Sequence, residues 1–134
     1  MQFSEVVNRV HELATVINDY WRRELPKRHP NYPLVEPGVD DPPPPPQVKE
    51  LQQFLLSRPA EEVYKIRAIV DVGSGRPATD FNTRWQRLMK DDPDTHWQIA
   101  FLTVDYGLDE ALTEGLEKLS AQHIDLDAGQ PVSV

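Results

Sequence analysis

The stretch from Glu61 to Trp85 decides what this chain can fold into. It runs Glu-Glu-Val-Tyr-Lys-Ile-Arg-Ala-Ile-Val-Asp-Val, then Gly-Ser-Gly-Arg-Pro, then Ala-Thr-Asp-Phe-Asn-Thr-Arg-Trp. If residues 68–72 were a strand, the glycines after it would form a cofactor-cradling loop. If they close a helix, the same glycines reverse the chain. Val63, Ile66, Ile69 and Val70 recur at three- and four-residue spacing, the period of a helix with one apolar face. Upstream, Pro59 fits a first helical position and Glu61 and Glu62 suit the positive end of a helix dipole. The spacing predicts a helix ending at Gly73, with Gly73 and Gly75 in positive-φ conformations and Arg76 paired to Asp71 or Asp80. The alternative for the same turn is an anion site, in which exposed glycine amides and Arg76 bind a carboxylate or phosphate.

The same period recurs on both sides of this stretch and gives an all-α expectation: a five to six helix compact bundle with a proline-rich extended segment after helix 1. Residues 1–25 read as an N-terminal amphipathic helix, with Val6, Val7, Val10, Leu13, Ala14, Ile17, Tyr20 and Trp21 on one face. Ser4 is its expected cap, and Pro26 is expected to stop it. Residues 26–46 form a proline-rich linker, because Pro26, Pro30, Pro33 and Pro37 lead into the run from Pro42 to Pro46. Such a segment is extended and partly polyproline II, a stiff spacer or a ligand for aromatic-lined grooves, with Tyr32, Leu34 and Val35 available to pin it to the core.

Residues 47–121 read as the helical core domain. Val48, Leu51, Phe54 and Leu55 mark a short second helix. Thr79 or Asp80 could cap a fourth, with Phe81, Trp85, Leu88 and Met89 inward and a basic strip of Arg84, Arg87 and Lys90 outward. Asp92-Pro93 opens a fifth that buries Trp97, Ala100, Phe101 and Val104. The last carries Leu108, Ala111, Leu112, Leu116 and Leu119 inward; Gly115 in its middle implies a closely packed neighbour, since glycine there costs up to about 1 kcal/mol against alanine. Residues 122–134 are expected to be a loosely ordered tail.

Composition narrows the function classes. The 134 residues fit one domain with a modest core. A net charge of −8 argues against direct nucleic-acid binding, which rests on clustered Lys and Arg. No apolar run approaches the roughly 20 residues of a membrane span, and Glu5, His11 and Glu12 break up any signal-like N-terminus. The absence of cysteine fits a cytoplasmic protein and removes thiol nucleophiles.

Residues 69–76, Ile-Val-Asp-Val-Gly-Ser-Gly-Arg, resemble the first motif of Rossmann-like methyltransferases, whose Gly-x-Gly loop implies S-adenosylmethionine at 73–75. Pro77 stands where that motif has a third glycine. A wider pattern covers residues 49–120: Leu51 with Phe54, Glu61-Glu62, Gly75-Arg76, Trp85 and Glu114-Gly115-Leu116. It is similar to a small bacterial helical domain family of unknown function, with Pro77 again in place of the family's glycine. That resemblance implies the helical fold and no activity.

No catalytic residue, cofactor or metal site is assigned; His123-x-Asp125-x-Asp127 is the one spacing that offers several ligands to a divalent ion. The expected function is a non-enzymatic protein-interaction module, with Gly73, Gly75, Arg76, Trp85, Tyr20 and Trp21 as candidate interaction residues. A protein partner is expected and a homodimer is open, with no direct nucleic acid or membrane contact. The alternatives are a cofactor-binding enzyme built on Gly73 and Gly75, and a phage- or defence-type acidic inhibitor of a nucleic-acid-binding protein.

Overall fold

The computed structural model describes residues 2–32, 34, 37–40, 42–91, 98, 99, 102 and 107–127, and among them the secondary structure is entirely helical. The helices are α1 (Phe3–Arg28), α2 (Pro46–Leu56), α3 (Ala60–Gly73), α4 (Phe81–Asp91) and α5 (Leu108–Ala121), with a 3-10 turn at Ala78–Asp80. Gln98, Ile99 and Leu102 are also helical, and Ile99 and Leu102 are buried; Trp97, Ala100, Phe101 and Val104, the expected inward face there, lie outside the described residues.

At the centre, α3 crosses α5, and the two backbones touch. A β-carbon on Gly115 would stand 2.3 Å from the Ile69 carbonyl oxygen, and one on Gly73 would stand 1.9 Å from that of Ala111. The mid-helix glycine therefore has the close neighbour its position implied. Gly73 corrects the expected positive φ: it lies inside the helix, and only Gly75 takes a positive value (φ 126°). What requires glycine at 73 is a neighbouring helix at van der Waals distance.

α4 packs on α3, while α1 packs on both α5 and α2. Burial follows the expected stripes closely. Val6, Val7, Val10, Leu13, Ala14, Ile17 and Trp21 of α1 join Leu51, Leu55, Ile66, Ile69, Leu112 and Leu119 in one core. The α1 stripe is thus covered by the chain's own helices.

Several boundaries and faces differ from expectation. α1 continues through Pro26 to Arg28. Proline removes the bond its own amide would have made and crowds the carbonyl four residues back, and the buried Leu25 and His29 on either side hold the extra turn against the core. Ser4 is no cap: the helix already begins at Phe3, and Gln2 occupies the capping position without a side-chain bond. Met89 is 39% exposed, because Leu88 already fills the inward position at the end of α4. Arg84 is drawn out of the basic strip by an ion pair to Asp71 (2.6 Å), whose other oxygen takes Arg67 (3.1 Å). Tyr32 and Leu34 are exposed, and Val35 lies outside the described residues; His29, fully buried, is what anchors the start of the linker.

Candidate functional site

The candidate interaction residues separate into three places: Trp85, the turn at Gly73, Gly75 and Arg76, and the pair Tyr20 and Trp21 on α1. Trp85 is buried and donates its indole N–H to the Glu61 carbonyl (2.9 Å), at the first turn of α3. Gly73 ends the same helix twelve residues on, about 18 Å away at the rise of an α-helix. Gly73, Arg76 and Trp85 therefore do not form one corner.

The Gly73–Arg76 turn closes a helix. The amides of Ser74, Gly75 and Arg76 donate to the carbonyls of Val70, Val72 and Asp71 (2.9, 3.3 and 3.0 Å). Lys118 Nζ adds a bond to the Val72 carbonyl (3.1 Å). These amides are spent on the C-terminus of α3, where the helix dipole is negative and disfavours an anion. The strand that a methyltransferase loop needs is α3 itself, a helix. Arg76 is exposed, and of its two expected partners, Asp71 and Asp80, the first is taken by Arg67 and Arg84.

Tyr20 and Trp21 lie on α1 in edge-to-face contact, with ring centroids 5.2 Å apart. Trp21 faces the core. Half-buried Tyr20 reaches the proline run, and its hydroxyl donates to the Pro43 carbonyl. Between α1 and the prolines lies an open groove of about 580 Å³, lined by Val16, Asp19, Tyr20 and Arg23 on one side and Pro43–Gln47 on the other. Val16, one of the lining residues, is 47% exposed.

No family model, curated protein or solved structure matches the chain. What can be said of its site rests on its own geometry.

Lys65 is the residue that sequence reasoning missed. It is 4% exposed, on the central helix, with its ammonium 4.3 Å from the Phe3 ring centroid and 4.7 Å from that of Trp85. It donates to the Leu126 carbonyl. Burial pushes its pKa below the ordinary lysine value, against the opposing pull of Asp127, Asp125, Glu61 and Glu62. Beside it is a cavity of about 210 Å³ lined by Phe3, Glu61, Trp85, Leu126 and Asp127 among others. The only hint in the sequence was a lysine in register with the apolar stripe.

Of the tail expected over residues 122–134, Ile124 and Leu126 pack on the core and hold the segment through Asp127, while residues 128–134 lie outside the described residues. Asp127 Oδ1 accepts the Ser4 amide (2.9 Å), and Asp125 Oδ1 accepts the Asp127 amide (2.9 Å). The carboxylates of the His123-x-Asp125-x-Asp127 spacing thus hold backbone amides. Among the described residues no cluster of His, Asp or Glu is placed to hold a metal ion.

Across the molecule, Arg22 fixes α1 to the start of α5. Its guanidinium grips Asp109 through two nitrogens (2.9 and 3.1 Å) and also reaches Glu110 and Asp19 (both 3.1 Å). The hydrogen bond to Asp109 raises the Arg22 pKa further above its ordinary value. Thr113 donates to the Asp109 carbonyl and meets His11 Nε2, both at 2.9 Å. No described helix is long and apolar enough to cross a membrane.

Proposed function

We propose that this chain is a non-catalytic helical module that works by holding a protein partner against the face formed by α1 and the proline run. The supporting observation is the groove itself: exposed Val16 and half-buried Tyr20 stand beside prolines fixed to the same folded body. Apolar surface presented on a rigid frame gives a partner contact without a large ordering cost. The net charge of −8 adds long-range attraction for a basic partner, such as the working face of a nucleic-acid-binding protein.

A photo-crosslinking amino acid placed at Val16, and separately at Met89, tests this in the native host. Both positions are exposed, and they belong to different helices. The expected result is a discrete adduct from position 16 alone, competed away by excess unmodified chain but not by a Val16→Glu chain. An adduct of twice the chain's mass makes the partner a second copy of this chain. Identical products from both positions, or none from position 16, overturn the reading.

A further inference from the structure

Each residue from Pro42 to Pro45 is itself followed by a proline, which disfavours the α region and drives the run into polyproline II. Pro45 shows the expected angles, φ −68° and ψ 156°. Polyproline II repeats every three residues, so it presents three edges. Burial follows that period: Pro42 and Pro45 are buried, while Pro43, Pro44 and Pro46 are exposed. One edge therefore lies on the body of the protein and two face outward. The Tyr20 hydroxyl holds the run at Pro43, and Pro46 is already the first residue of α2.

We propose that Pro43, Pro44 and Pro46 form a ligand ridge for a partner domain that reads polyproline II through an aromatic-lined groove. This rests on the interaction-module reading and names the partner's class. A stiff spacer between α1 and α2 accounts for the two buried rings, the conformation of the run and Pro46 at the first position of α2, and it leaves two edges of proline rings open to solvent. The outward edges are what such a groove takes up, ring against aromatic ring, with side-chain donors from the groove bonding the proline carbonyls. The run offers no amide donor, so the partner's polar groups must donate. The Pro43 carbonyl already accepts from Tyr20, which directs the partner's donors to its neighbours. Asp40-Asp41 precede the run in sequence, so the groove that suits it has a basic end.

The test is a titration of the isotope-labelled full chain with isolated SH3, WW and EVH1 domains, chosen to include basic and acidic groove ends and followed by NMR. The expected result is saturable shifts at Tyr20, Gln47 and Val48 with a basic-ended domain. Pro44→Ala should weaken that binding at least tenfold while lowering the thermal transition by no more than a few degrees, the effect of a freer unfolded chain; Met89→Ala should leave the binding intact. Absence of shifts at the run with every domain overturns the ridge, as does binding indifferent to Pro44→Ala. A position-16 adduct that still forms in the Pro44→Ala chain overturns the ridge while leaving the interaction module standing. Loss of position-specific crosslinking in the native chain overturns the module itself.

Discussion

At Gly115 and Gly73, a single missing methyl group sets the distance between two helices. Alanine is ordinarily better than glycine inside a helix by about 1 kcal/mol. Here the added carbon would meet backbone oxygen at 2.3 Å or 1.9 Å, and backbone cannot swing aside as a side chain can. Gly115→Ala and Gly73→Ala should each destabilise by about 1–3 kcal/mol, the usual cost of overpacking, read as a lower urea midpoint at unchanged slope. Lys65 presents an electrostatic counterpart. Its folded pKa lies below the ordinary 10.5 because burial disfavours the charged amine. Between those two values the unfolded chain binds more protons, so stability rises with pH; this gain is complete above about 10.5 and lost as pH falls through the folded value. Urea midpoints taken from neutral to alkaline pH should rise more steeply for the native chain than for Lys65→Met, and parallel profiles would contradict the assignment.

Among the elements, α1 is held at both ends by groups far away in sequence. Its first turn is closed by Asp127, where the donor is the Ser4 amide. Asp127→Ala should cost about 1 kcal/mol, at the level of losing a helix cap, and should speed hydrogen exchange at Ser4 while leaving the centre of α3 protected. The helices themselves were legible because their apolar residues recur at the helical period; α2 and the buried stripes of α3 and α5 stand where that period puts them. The misreadings came where a local signal met a distant contact. Pro26 signals a stop, yet Leu25 and His29 find buried places that keep the last turn helical. Gly73 and Gly75 look alike in sequence, and only the neighbouring Ala111 carbonyl tells them apart. Lys65 reads as a solvated charge between glutamates until Phe3, Trp85 and Leu126 close around it. Of the candidate surface, Tyr20 and the prolines could be read from sequence, but their union required the fold.

For the whole molecule, the decisive fact is that α1 contributes to the only large core cluster among the described residues. A chain starting at Gln47 would leave Leu51, Leu55, Leu112 and their neighbours facing water where α1 had covered them. It should lose cooperative thermal unfolding and bind hydrophobic dyes, as loosened cores do. Retention of a sharp transition in that shortened chain would show that α1 is an appendage.

The bond from Ser4 to Asp127 also brings the first and the last of the described residues to a single spot on the surface. Joining them through a short flexible bridge and cutting between α2 and α3, at the exposed Ser57, should yield a permuted polypeptide that still assembles the same bundle. Its helical circular dichroism should match that of the parent, because the order in which these helices are strung together would change while their neighbours would not.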